Sequence, residues 1–324
     1  MNVSVCIPVY GVEKYIERCA RSLFEQTMKD DIEFIFVDDC TPDKSIEVLQ
    51  KVLEEYPDRK DQVKIIHHEV NKGLTGARNT ALKYVSGDYV THCDSDDWVD
   101  LNLYETMYEK AIEEQADVVC CSIALEFSHR KAVKLLPKYN SIDTLFDLEF
   151  NVAHFASVWN KLLIREIACA PDIIASDHIT MAEDMLRSTQ QLLKCKRLAV
   201  CPEVSYRYFF SNQQSVTLNL SPKTFASEYE VSNILVDLLP GKYKKYAVIL
   251  KARVLLSALQ TKEITAKQYY SLYGRMFTLT VSLTKRSLGF DKRVLLGVSF
   301  ISFSLARFLS KIRLKLVCKI RSGK

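Results

Sequence analysis

Three carboxylates in four residues, Asp94, Asp96 and Asp97 around Ser95, directly follow the apolar run Tyr89-Val90-Thr91-His92-Cys93. Carboxylates at i and i+2 leaving a strand can present oxygens to a hard divalent cation, the donor type that Mn²⁺ and Mg²⁺ prefer and one that also grips a diphosphate. The same tetrapeptide would serve as a solvated turn with an Asp cap for a helix starting near Asp100. A second acidic pair, Asp38-Asp39, follows the apolar run Phe34-Ile35-Phe36-Val37. Two acidic loops at strand ends are hard to derive from turn preference alone, which favours the cation.

These loops need a scaffold that brings strand ends together. Short β-branched runs at 3–7, 34–37, 63–67 and 89–93 alternate with helical periodicity at 12–26, 43–55 and 73–85. The alternation predicts an α/β sheet of mostly parallel strands with crossover helices. Ligands of such sheets bind beyond the carboxyl ends of the strands. The loops there carry Pro8-Val9-Tyr10, Asp38-Asp39, Asn71-Lys72-Gly73 and the acidic tetrapeptide. A further helix and strand are expected at 100–115 and 118–123, a mixed region to about 217, and helices beyond 221.

Composition narrows the class. With 324 residues, 48% of them hydrophobic and 26% charged, the chain can bury a substantial core. Its formal charge of +4 conceals an asymmetry: residues 292–324 hold nine Lys or Arg and no acid, leaving the rest at about −5. Ten cysteines without a CxxC or a Cys/His ligand spacing suggest a reduced, cytoplasmic protein. The first residues lack the pattern of a secretory signal, and the longest apolar-leaning run, 294–306, is short of the roughly 20 residues a spanning helix needs.

Four segments taken together resemble the family 2 glycosyltransferases of the GT-A fold, a Rossmann-like nucleotide-diphospho-sugar transferase fold. They are Ser4-Val5-Cys6-Ile7-Pro8-Val9-Tyr10, Phe36-Val37-Asp38-Asp39-Cys40-Thr41-Pro42-Asp43, Asn71-Lys72-Gly73-Leu74-Thr75-Gly76-Ala77-Arg78-Asn79, and Asp94-Ser95-Asp96-Asp97. Their order and spacing are specific. The likeness is tight over residues 1–110, looser to about 217 and absent beyond, which implies a catalytic domain at 1–217 and a helical C-terminal region at 218–324. It implies a nucleotide-sugar donor, usually a UDP-sugar, with Mn²⁺ or Mg²⁺. Pro8 and Tyr10 match the motif whose ring lies beside the base, and Asp39 matches the carboxylate that bonds the uracil edge. Asp94 matches the acid near the ribose and Asp96 the metal ligand, with Ser95 between them in the donor loop. Lys72 and Arg78 fall in the segment that approaches phosphate and ribose; a solvated loop cation and a helix-surface ion pair are their plain alternatives. Cys40 departs from the small polar residue or Gly common there and puts the loop conformation in question.

An inverting transfer also needs a base opposite the leaving diphosphate. The family carries a Glu-Asp pair at a helix start, and Glu183-Asp184 opens the helical stretch 182–194. Asp184 is thereby the base and Glu183 its neighbour, although acids in a first helical turn also simply favour the dipole. Trp159-Asn160-Lys161 resembles a segment that sets a Trp and a cation near sugar or acceptor, which makes Trp159 either a stacking platform or a buried ring. Tyr206-Arg207-Tyr208, followed by Ser211 and Ser215, resembles the end of the catalytic domain, where Arg207 either reaches phosphate or makes a structural ion pair. His92 reads as a packed strand residue, and neither it nor His178 has a helical ligand partner.

In the tail, Ile301, Leu305, Phe308, Leu309, Ile312 and Leu316 recur at three or four, with Arg307, Lys311 and Lys315 in a row at four. Such a basic amphipathic helix fits a membrane surface, or packs on the protein with a basic rim; nucleic acid is not expected, since no reading motif is present. The sequence therefore predicts a glycosyltransferase of polysaccharide biosynthesis, peripheral to the inner face of the cell membrane, acting on a glycan or lipid-linked glycan acceptor. A nucleotidylyltransferase and a non-catalytic nucleotide-sugar-binding partner protein are the rivals.

Overall fold

The structure, a computed structural model, describes residues 1–151, 153–173, 175–212, 221–285 and 287–322. Two compact units divide the chain: residues 1–149, 154–178 and 184–210, and residues 150–153, 179–183 and 211–324. The expected boundary at 217/218 and Ser215 lie outside the described residues.

The first unit holds one mixed sheet. Strands β1 (Val3–Val9), β2 (Ile32–Asp38), β3 (Val63–His67) and β4 (Tyr89–His92) lie parallel in the order β3-β2-β1-β4. All seven residues of β1 are buried, as expected of a strand in a sheet covered on both faces, with Ser4 its one polar residue. Helices α1 (Ile16–Phe24), α2 (Ser45–Glu54) and α3 (Gly73–Ala81) make the crossovers. In α1, Ile16, Cys19, Ala20, Leu23 and Phe24 form the buried stripe, at the spacing of one helical face.

Beyond β4 the expectation of a mostly parallel sheet fails. After β5 (Trp98–Val99), α4 (Leu103–Glu113), β6 (Val118–Glu126), β7 (Val133–Leu135) and α5 (Ile142–Asn151), strand β8 (Lys161–Ile164) enters antiparallel between β4 and β6. The short α6 (Arg165–Ala168) and α7 (Glu183–Leu192) precede β9 (Leu198–Phe209), which runs parallel to β6 and antiparallel to β5. Helix α3 also ends earlier than expected. The N–H groups of Lys83 and Tyr84 turn back to Thr80 and Ala81, tightening the chain for its return. At Gly87 a Cβ would stand 2.7 Å from the Ser4 nitrogen, so only glycine lets the segment pass β1 this closely.

The second unit is helical, as the sequence predicts: α8 (Pro222–Leu238), α9 (Ala247–Gln260), α10 (Ala266–Tyr273), α11 (Arg275–Thr284), α12 (Phe290–Ile301) and α13 (Phe303–Ser322). Capping boxes at Ser221/Thr224 and Thr265/Gln268 satisfy the first turns of α8 and α10.

At the amino end of the sheet, the buried Glu33 carboxylate gathers Ser4 Oγ (2.6 Å), Lys64 Nζ (2.7 Å) and the Ser86 N–H (2.6 Å) and hydroxyl (2.8 Å). Burial alone would raise its pKa, but these donors outweigh it and hold Glu33 below its usual value. A depressed acid contributes stability that is present above the unfolded pKa, 4.5, and lost as pH falls through the folded value. Glu33→Gln is therefore expected to lose about 2 kcal/mol at neutral pH. In urea denaturation, the difference from the parent should shrink as the pH is taken below 4.5.

Candidate active site

The acidic loops do meet at the carboxyl ends of β1 to β4, and hydrogen bonds fix how. Asp39, just past β2, is buried. Its carboxylate accepts the N–H groups of Lys72 (2.7 Å) and Gly73 (2.8 Å), and His68 Nδ1 lies 2.7 Å from it. Asp39 thus caps α3 and ties β2 to the loop before that helix. Lys72 contributes its backbone to this cap while its side chain is exposed. Cys40 adopts φ +55°, the left-handed region that explains why Gly suits the position, and its Sγ donates to the His68 carbonyl (2.9 Å). Tyr10, at the mouth of β1, is 53% exposed, and Pro8 is buried behind it.

Helix α3 delivers Arg78, which is fully buried and not a surface cation. Its guanidinium pairs with Asp94 (2.5 Å) on one nitrogen and with Asp184 on another. One side chain thereby joins α3, the loop after β4 and the first turn of α7. A planar fork of donors suits two carboxylates at once, which a lysine could not match. Ala182, at φ +63°, turns the chain into α7, and Glu183 is buried beside Asp184. Behind them Arg187, also buried, donates to Asn79 Oδ1 (2.6 Å). Burial and the nearby Arg78 charge push Arg187 down to about 10.

The acidic loop is clamped from its other side. The Asp94 N–H donates to the Tyr206 hydroxyl (2.9 Å), which donates to Asp97 Oδ2 (2.8 Å), while the Phe209 N–H reaches Asp97 Oδ1 (2.7 Å). Ser95 is buried and donates to the Pro8 carbonyl (2.6 Å), so it fastens the loop to β1 in place of an expected donor contact. Arg18, stacked over Trp98 at 3.6 Å, holds the Asp96 carbonyl (2.9 Å). The Asp97 and Tyr206 clamp was missed from sequence; the third acid beside Asp94 and Asp96 was its one available signal.

The ligand-contact readings of Trp159 and Lys161 are corrected, while Arg207 and His92 take the structural roles that the sequence also offered. Trp159 is buried, its ring stacked on Tyr206 (4.2 Å between centroids) and Tyr208 (5.6 Å), so it braces the clamp and offers no sugar platform. Lys161 is equally buried, 2.8 Å from Glu149, and donates to the carbonyls of Phe155 and Ser157. Arg207 pairs with Asp100 (2.6 Å) and Glu126 (2.7 Å), the structural role. His92 is packed in β4; burial, then Arg78 and Arg187, drive its pKa well below the usual value. His178 is exposed.

Electrostatics test whether a divalent cation suits the loop. Burial raises Asp94, Arg78 opposes it, and the charges of Asp184 and Asp96 add to the rise, leaving Asp94 at about 6. Asp97 is raised further, by burial and then by Asp96 and Asp94. The charge of Asp96 adds to both shifts, a repulsion that a hard cation would relieve. Among the described residues no three ligating side chains converge, so the chain alone does not close a metal site. One or two carboxylates completed by substrate phosphates and water is the arrangement Mg²⁺ commonly takes.

Removing Arg78 (Arg78→Ala) leaves Asp94 and Asp184 without their shared cation and should destabilise the fold by about 3–5 kcal/mol in chemical denaturation. Tyr206→Phe keeps the ring stacked on Trp159 but strands the Asp94 N–H and weakens Asp97; about 1–3 kcal/mol should be lost in the same measurement.

Comparison with known proteins places this geometry. A family model described as Glycosyl transferase family 2 matches residues 4–169, just over half of the chain. The uncharacterized glycosyltransferase EpsJ of Bacillus subtilis is 32% identical over 213 residues, 64% of this chain and 60% of that protein. The poly(ribitol-phosphate) beta-glucosyltransferase of Bacillus spizizenii is 32% identical over 210 residues, 64% of this chain and 32% of its own length. The chain thus spans less than two thirds of either relative. Among solved structures, S. aureus TarS 1-349 in complex with UDP-GlcNAc aligns with a TM-score of 0.66 at 21% identity, covering 100% of this chain and 93% of that one. Mannosyltransferase PcManGT from Pyrobaculum calidifontis, in complex with GDP-Man and Mn2+, aligns with a TM-score of 0.57 at 13% identity, covering 99% and 86%. These structural likenesses carry the GT-A fold, and the matched motifs carry the family: the chain belongs to glycosyltransferase family 2.

Proposed function

We propose that this protein is an inverting glycosyltransferase that moves a sugar from a nucleotide-diphosphate donor, a UDP-sugar, to a glycan acceptor carried on lipid at the inner face of the membrane. The observation that carries the reading is the Arg78 bridge, which sets the donor-loop acid Asp94 and the helix-start acid Asp184 on one guanidinium. The solved relative bound to UDP-GlcNAc and the beta-glucosyltransferase relative support the donor class and the polysaccharide setting.

In this reading Tyr10 lies beside the base and Asp94 near the ribose. Asp96, with diphosphate oxygens and water, would hold Mn²⁺ or Mg²⁺, whose charge neutralises the departing diphosphate. Asp184 takes the proton of the acceptor hydroxyl as its oxygen bonds the anomeric carbon; the bond to the diphosphate breaks, and its electron pair leaves with the nucleotide. A base opposite the leaving group gives inversion. Arg78, paired with Asp184, keeps that carboxylate aimed.

The nucleotidylyltransferase alternative is disfavoured by the first loop. That class requires free backbone N–H groups there to cradle phosphates, whereas the N–H groups of Gly11, Val12 and Glu13 are taken by Thr41 Oγ1 (2.9 Å), Ser45 Oγ (3.1 Å) and Asp43 (3.0 Å). No helix among the described residues is long and apolar enough to cross a membrane, so the proposed membrane association is peripheral.

Calorimetry with UDP and UDP-sugars, with and without Mn²⁺, should detect metal-dependent binding that Asp96→Ala abolishes. Asp184→Asn should keep donor binding yet lower UDP release over a panel of glycan acceptors by about 10³-fold. Donor binding without turnover of any acceptor would favour the non-catalytic binder.

A further inference from the structure

The basic tail divides by residue type. Its arginines turn inward. Arg307 donates to the carbonyls of Thr261 (3.0 Å), Ala258 (3.4 Å) and Ile264, closing the end of α9; Arg293 donates to Ser282 (2.7 Å); Arg313 pairs with Asp291. The row that included Arg307 as a surface cation is corrected accordingly. Phe303, Ala306 and Ser310 form the buried side of α13. On the opposite side Leu305, Phe308, Ile312, Leu316 and Ile320 are all between 40% and 60% exposed. At 100° per residue these five fall within about 120° of arc. Lys311 and Lys315, both exposed, run along one edge of that stripe, and Lys319 continues the line.

A continuous apolar row flanked by lysines, left facing water over about four turns, calls for an occupant with an apolar interior and an anionic surface. We propose that this face of α13 lies in the plane of an anionic lipid bilayer, with the apolar row entering the acyl boundary and the lysines at the headgroups. A second copy of the chain suits the face poorly, because α13 has no acid and a symmetric contact would set lysines against lysines. Nucleic acid would leave the apolar row exposed. The inference deepens the membrane reading above by naming its contact surface, and it is tested apart from donor binding.

The full chain would be floated with phosphatidylcholine vesicles containing or lacking phosphatidylglycerol, at low and high salt. Expected are binding to the anionic vesicles, weakening with salt, a loss of tenfold or more in Lys311→Gln/Lys315→Gln, and loss in Phe308→Ser/Leu316→Ser. Lys29→Gln/Lys51→Gln, which removes the same charge elsewhere, should float like the parent. Equal flotation of the α13 variants and the parent would overturn the proposal. So would failure of the parent to bind, or a parent dimer that Phe308→Ser/Leu316→Ser disperses. UDP titration of the same preparations reports on folding and on the donor site; loss of UDP binding in every sample would strike the donor reading and leave the lipid face standing.

Discussion

A buried guanidinium between two carboxylates is the interaction on which the site depends. Arg78 has no exposure, and the groups that match its charge come from segments far apart in sequence, Asp94 after β4 and Asp184 at the start of α7. Burying a cation is tolerable only when it is paired and hydrogen-bonded, so α3 can pack against β1 and β2 only if both acids arrive. Folding of the sheet and assembly of the site are one event at this residue.

The remaining features keep the two acids where Arg78 requires them. The Tyr206 hydroxyl and Asp97 tether the acidic loop to β9, and Ser95 tethers it to β1. On the helix side, Ser188, one turn beyond Asp184, donates to Glu149 (2.7 Å), which is itself paired with buried Lys161. Both acids are thus anchored through neighbours that touch no solvent, and the carboxylates keep some exposure toward a ligand. Such a site is preorganised: the donors and charges are in place before a substrate arrives. Burial raises Asp94 first, and the charges of Asp184 and Asp96 add to the rise; a divalent cation would relieve that added repulsion.

Much of this was legible in the sequence wherever function and backbone pattern coincide. The alternation of apolar strands and helices located β1 to β4, and the acids at their ends announced a ligand site because strand ends converge. What the sequence concealed was the partner of each side chain. Trp159 and Lys161 read equally well as ligand contacts or as core, and only the antiparallel entry of β8 beside β6 sends both inward. Nothing in sequence tells that the Lys72 and Gly73 N–H groups will reach the Asp39 carboxylate. In the tail the periodicity was correct, but charge alone does not distinguish an arginine that closes α9 from a lysine that faces water.

The account is tested most directly by a structure of this chain solved with a UDP-sugar and Mn²⁺. It predicts the diphosphate beside Asp96 and the Asp184 carboxylate across the anomeric carbon from the leaving group, with Arg78 still joining Asp94 and Asp184. A donor bound away from the acidic loop, or Asp184 on the same side of the sugar as the diphosphate, would contradict it.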